Sequence, residues 1–128
     1  NSEPWEHKSI LIVDDVEHYH DYIKLLMSGA SEIISANNGK EAIAAVKRSH
    51  PDLILMDLRM PFMNGFEAIK KIKSNPATQN IPIIAVSAQV TDEDKDRAIQ
   101  VGANGFISKP IDIDSLKKEI NWIFSTAK

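Results

Sequence analysis

The chain has 128 residues, 43% apolar and 26% charged, which fits one globular domain with a real core and excludes a disordered segment. Fifteen basic against eighteen acidic side chains leave a net charge of −3, so the basic footprint of a nucleic-acid binder is missing. There is no cysteine, which excludes disulfides, thiolate metal sites and cysteine nucleophiles, and no apolar run is long enough to cross a bilayer.

The first eight residues, NSEPWEHK, read as a polar lead-in, with one domain over 9–128. Ile10–Val13 is apolar at every position, as expected of a strand buried on both faces. A helix follows over 16–27, with Val16, Tyr19, Ile23, Leu26 and Met27 at helical spacing and Gly29 as its C-terminal stop. Ile33–Ala36 is a more polar strand, expected at a sheet edge. Ala42, Ile43 and Val46 mark the second helix, and Leu53–Met56 a third, fully apolar strand. Phe66, Ile69 and Ile72 mark a helix that stops before Asn75-Pro76. Ile83–Val86 is again apolar throughout. Thr91, ahead of Asp92, Glu93 and Asp94, reads as the cap of an acidic helix start, and Gly102 as its end. Phe106–Ser108 is a short edge strand. Ile113, Leu116, Ile120 and Ile123 form the last helix behind Asp112. The pattern is (βα)5, predicting an open, doubly wound parallel sheet with right-handed crossovers and helices on both faces. Its three fully apolar strands belong at the centre.

Ligands of such sheets bind beyond the carboxyl ends of the strands. The first strand ends in Asp14-Asp15, the third in Asp57 and the fourth in Ser87, and the fifth runs into Lys109-Pro110. Three carboxylates brought to one spot repel each other, and a hard divalent cation relieves this. With only oxygen donors at hand, Mg2+ is favoured. A carboxylate in that setting is a nucleophile toward phosphorus, and phosphoryl transfer asks mainly for in-line placement and neutralised charge. Asp57 is the expected nucleophile, Asp14 and Asp15 the metal-binding pair, Lys109 a second counter-charge and Ser87 a hydroxyl donor.

With these residues in place, the sequence resembles the receiver domain of response regulators and hybrid histidine kinases in two-component signalling. The resemblance rests on Asp14-Asp15, Asp57 within MDLRMPFMNGFE, Ser87 in VSAQ, Phe106, and Lys109 in SKPI, and covers essentially the whole domain. It implies a flavodoxin-like sheet of order 2-1-3-4-5. It also implies that Asp57 takes a phosphoryl group from a phosphohistidine on a histidine kinase or histidine phosphotransfer domain. Asp15, Asp57 and the backbone carbonyl of Arg59 would bind Mg2+ directly, with Asp14 acting through water. Lys109 would pair with the phosphoryl group, Ser87 swing toward it, and Phe106 move inward. The face of the fourth helix, fifth strand and fifth helix would then change for a downstream output domain or protein. The Lys109-Pro110 bond is expected to be cis. Arg59 and Gln89 flank the site and are expected to tune hydrolysis. The switch aromatic is Phe rather than Tyr, so it has no hydroxyl to hydrogen-bond.

Such a domain is a switch that catalyses only its own phosphorylation and dephosphorylation, with no direct nucleic-acid contact and no membrane insertion. A cytoplasmic location is expected, since no signal-peptide pattern is present. The start at Asn1 is expected of a processed product or a piece of something longer; a stand-alone regulator and an excised domain both stay open, and the polar lead-in and the Lys109-Pro110-Ile111 ending lean toward a hybrid kinase or other multidomain parent. Three other functions compete. An aspartate-nucleophile phosphohydrolase would need a general acid where Arg59 stands. A flavin or dinucleotide site would not start with the acidic Asp14-Asp15 loop. A scaffold that works without phosphorylation usually lacks part of the acceptor set. Single residues invite plainer readings: Asp14-Asp15 as a turn or cap, Asp57 as a loop start, Ser87 as a strand-end hydroxyl, Lys109 as a solvated lysine. The four histidines are expected to be inert, with His18 and His20 on different sides of the first helix. Contact with a phosphodonor is their alternative. Trp5 and Trp122 are expected to pack, and Pro61 and Gly65 to shape backbone.

Overall fold

The computed structural model describes residues 4–60, 62–88 and 91–126. The elements alternate along the chain. They are β1 (Ser9–Val13), α1 (Glu17–Leu26), β2 (Glu32–Ala36), α2 (Gly39–Ser49), β3 (Leu53–Asp57), α3 (Gly65–Ser74), β4 (Ile83–Ser87), α4 (Asp92–Val101), β5 (Gly105–Ser108) and α5 (Ile113–Thr126). The strands form one parallel sheet of order β2-β1-β3-β4-β5. The strands that are apolar at every position are central because each must be covered on both faces.

Period-two alternation sorts the strand side chains into two layers. Leu11, Val13, Ile54, Met56, Ile83 and Ala85 pack with buried residues of α2, α3 and α4. Ile10, Ile12, Leu53, Leu55, Ile84 and Val86 pack with α1 and α5. Trp5 joins this second layer at 1% exposure and donates its indole N–H to the Ser28 carbonyl at 3.1 Å. The expected packing role of Trp5 holds, and the otherwise polar lead-in supplies a core residue.

Side-chain caps set the helix starts. Asn38, Asn64 and Thr91 accept the backbone N–H of Glu41, Glu67 and Asp94. Gly102 closes α4 in the left-handed region at φ +114°. Two helix expectations need correction. α1 ends at Leu26 with Met27 as its cap, so Gly29, at φ +103°, turns the chain beyond the helix rather than stopping it. Val16 precedes the helix as its extended N-cap residue, at φ −100° and ψ 110°, and is exposed, and its backbone N–H donates to the Asp14 carboxylate. Trp122, expected to pack, is 59% exposed on α5.

The register brings the strand ends level: Val13 lies beside Met56, Asp57 beside Val86, and Ser87 beside Ser108. β3 and β4 each run one residue further than their apolar stretches, so Asp57 and Ser87 are the last residues of their strands. Gly65 allows α3 to start directly against β3. A Cβ there would collide with the Asp57 carbonyl oxygen and lie 2.8 Å from Leu58 Cα.

Candidate functional site

Four of the five strands send chemistry to one end of the sheet. Asp14 and Asp15 follow β1, Asp57 ends β3, Ser87 ends β4, and Lys109 follows β5. One carboxylate oxygen from each of Asp14, Asp15 and Asp57 lies within 4.8 Å of the other two. Asp14 and Asp57 are buried at 2% and 4% exposure, while Asp15 is exposed at the rim. Lys109 Nζ donates to Asp14 Oδ2 at 2.8 Å and lies 3.5 Å from Asp57 Oδ2. Its ammonium also sits over the Tyr19 ring, 4.5 Å from the centroid. A cavity of about 420 Å3 opens onto Asp15, Asp57, Arg59, Ala88 and Lys109.

Each side chain is held by its neighbours. Asp57 Oδ1 accepts the Arg59 backbone N–H at 3.2 Å. The Lys109 backbone N–H donates to the Ser87 carbonyl at 2.8 Å, fixing the lysine against β4, and the Lys109-Pro110 bond is cis, as expected. Ser87 is fully buried. The Tyr19 hydroxyl accepts the Ile111 N–H, and the Tyr22 hydroxyl donates to the Ile111 carbonyl, which ties α1 to the segment after Lys109. The Arg59 guanidinium donates to Asp94 Oδ2 on α4 at 2.7 Å. Gln89 and Pro61 lie outside the described residues.

The electrostatics follow from this crowding. Burial and the Asp14 carboxylate raise the Asp57 pKa from 3.8 to about 6, although Lys109 and the Arg59 N–H pull the other way. Burial opposes the charge of Lys109, but its hydrogen bond to Asp14 and the charges of Asp57 and Asp14 prevail, so its pKa is raised. Burial raises the Tyr19 pKa. Three carboxylates face one ammonium, an excess of negative charge on hard oxygen donors, and this donor set fits Mg2+. The site can therefore present a carboxylate to an incoming phosphoryl group while neutralising that group's oxygens.

Phe106 is half-buried between the core and the Lys95 ammonium, which is 5.9 Å from its ring centroid. Of the histidines, His18 and His20 lie on different sides of α1, as expected. His20 is 3% exposed, so it cannot meet a phosphodonor, and its Nε2 lies 2.8 Å from the Asp14 carbonyl oxygen. Its spacing from Ile23 and Met27, both buried, was the available signal that it points inward. His18 is exposed.

Comparison with known proteins agrees with this geometry. The profile of the response regulator receiver domain matches residues 10–121, and the chain belongs to that family. Protein PilH of Pseudomonas aeruginosa is 32% identical over 117 residues, 91% of this chain and 97% of its own. The polar-differentiation response regulator DivK of Brucella ovis is 37% identical over 107 residues, 83% of this chain and 87% of its own. The signal receiver domain of a signal transduction histidine kinase from Syntrophus aciditrophicus superposes with a TM-score of 0.84 at 29% identity, covering 94% of this chain and 92% of its own. Chemotaxis protein CheY4 of Vibrio cholerae superposes with a TM-score of 0.84 at 28% identity, over 91% and 98%. The chain is thus the receiver domain of a signalling protein, with the architecture of a switch rather than of a metabolic enzyme. Among the described residues no helix is long and apolar enough to cross a membrane.

Proposed function

We propose that this domain is the phosphoacceptor of a two-component phosphorelay and that Asp57 carries the phosphoryl group. The observation that supports this best is the convergence of Asp14, Asp15 and Asp57 within 4.8 Å, with Lys109 Nζ against two of them. The donor is a phosphohistidine on a histidine kinase or histidine phosphotransfer domain. An Asp57 oxygen attacks phosphorus, the P–N bond breaks, and the imidazole leaves with the bonding pair, yielding an acyl phosphate.

Asp15, Asp57 and the Arg59 backbone carbonyl would hold Mg2+ directly, with Asp14 acting through water. Its contribution is to neutralise charge on the transferred group. Lys109, already at hydrogen-bond distance from the carboxylates, pairs with a phosphoryl oxygen once one forms. The buried Ser87 hydroxyl turns toward the phosphoryl group, and Phe106 moves inward from its half-buried position. The α4–β5–α5 face then changes shape for an output domain or protein, a two-state element biased by a new charge. Slow attack by water on the acyl phosphate resets the switch. A kinase-fed relay of this kind operates in the cytoplasm.

The test is incubation with acetyl phosphate and MgCl2. The intact mass should rise by one phosphoryl group, and amide resonances near Ser87 and Phe106 should shift. Both responses should vanish in Asp57→Ala and with EDTA. An unresponsive wild type, or an undiminished response in Asp57→Ala, would refute the assignment.

A further inference from the structure

His20 is a buried imidazole that the phosphoacceptor chemistry leaves unused. It sits on the inner face of α1, 3% exposed, six residues beyond Asp14. Its Nε2 is 2.8 Å from the Asp14 carbonyl oxygen. A carbonyl can only accept, so Nε2 carries a proton, and in the neutral imidazole Nδ1 is then an acceptor. That Nδ1 is fully buried with no hydrogen-bond partner. A buried acceptor without a donor costs free energy, and an apolar side chain would avoid that cost. The imidazole is therefore a poor choice for packing alone, and its one satisfied bond goes to the acidic loop.

That bond acts where the loop has least other support. The remaining polar groups of Asp14 are held elsewhere: its N–H donates to the Ala36 carbonyl, Oδ1 accepts the Val16 N–H, and Oδ2 accepts Lys109. Asp15 is exposed and makes no hydrogen bond or ion pair of its own among the described residues. The position of its carboxylate depends on the orientation of the Asp14–Asp15 peptide, and the carbonyl of that peptide is the group that His20 grips.

We propose that His20 is a positioning residue for the acidic pair: its Nε2–H locks the Asp14–Asp15 peptide so that Asp15 faces the cation site. This rests on the phosphoacceptor reading of the site. Outer partners of metal-binding groups typically contribute 10- to 100-fold to metal affinity.

Calorimetric titration of the whole chain with MgCl2 tests it, using His20→Leu, which removes the donor, and His20→Gln, whose amide N–H can replace it. His20→Leu should bind Mg2+ about tenfold more weakly, and His20→Gln within about threefold of wild type. With acetyl phosphate, His20→Leu should need about tenfold more MgCl2 for half-maximal phosphorylation, yet reach the wild-type rate at saturation, since Asp57 and Lys109 are untouched. Circular dichroism verifies folding, and His20→Asn, too short to reach the carbonyl, replaces the leucine variant if that fails to fold. Wild-type Mg2+ affinity in the donor-less variant overturns the inference alone, as does a folded His20→Gln no better than His20→Leu. A wild type that neither binds Mg2+ nor accepts phosphate overturns both this and the phosphoacceptor reading.

Discussion

Replacing Asp57 by Asn should make the metal-free protein more stable, and only above the ordinary carboxyl pKa of 3.8, where the unfolded chain ionises before the native one. The amide keeps the shape of the side chain and can still accept the Arg59 N–H, but it removes a charge that is 4% exposed and faces Asp14. In the folded protein Asp57 has a pKa of about 6, against an ordinary value of 3.8. The gap is roughly two units at about 1.4 kcal/mol each, so the ionised group costs the fold up to about 3 kcal/mol. An acid whose folded pKa is raised stabilises the fold while protonated and loses that advantage as pH climbs. Wild type and variant should therefore be nearly equally stable below pH 4, diverge between pH 4 and 6, and keep a constant gap above. The attraction of Lys109 is already contained in the Asp57 pKa, and the unmatched N–H donors of the buried amide bring the expected plateau to about 1–3 kcal/mol. For a chain of this length that is a melting-temperature gain of about 4–12 °C. Thermal melts in EDTA from pH 4 to 8 measure it directly. Added MgCl2 should then stabilise wild type more than the variant, by about 1.4 kcal/mol at ten times the dissociation constant. Parallel wild-type and variant curves across this pH range would show that Asp57 is neither desolvated nor repelled, and would refute the electrostatic account of the site.

Lys109→Ala leaves the buried Asp14 and Asp57 facing each other without their ammonium. It should destabilise the metal-free protein by about 2–3 kcal/mol at pH 8 and less below pH 5, where the Asp57 carboxyl is protonated. The variant should retain some phosphorylation but lose the resonance shifts around Phe106, and normal switching there would contradict the coupling role. Gly65→Ala drives a methyl group into the Asp57 carbonyl and Leu58 Cα. Denaturant melts should show a loss of about 2 kcal/mol or more, and acetyl phosphate labelling, on the proposed function, should slow because the end of β3 that carries Asp57 is displaced. Trp5→Ala empties a core position at the domain's second layer and should cost about 3–5 kcal/mol in the same melts. A loss below 1 kcal/mol would mean that the lead-in is only loosely docked.

Much of this molecule is written in local pattern. The runs at Ile10–Val13, Leu53–Met56 and Ile83–Val86 are apolar at every position, which demands cover on both faces, and they occupy the centre of the sheet. Strand ends could be read for chemistry because parallel strands point their carboxyl ends the same way. Asp14-Asp15, Asp57, Ser87 and Lys109 accordingly gather at one end. Thr91 and Gly102 announced the bounds of α4 through capping chemistry that needs no distant partner.

Other features depend on neighbours far along the chain, which periodicity does not name. Lys109 meets Asp14 across 95 residues, and Arg59 meets Asp94 across 35. Trp5 and Trp122 look alike as terminal aromatics, yet one is sealed by the α1–α5 layer and the other left in solvent. His20 reads as one histidine of four until α1 docks and turns it beneath the Asp14 carbonyl. Helical spacing shows which residues share a face, but only packing against the sheet decides which face is dry and which backbone group it covers. The raised pKa of Asp57 is likewise a tertiary property, since it comes from burial and from a carboxylate 43 positions earlier in sequence. The sequence determined the elements and the kinds of groups at their ends; the fold decided the distances between those groups, and charge interactions depend on distance and burial rather than on order along the chain.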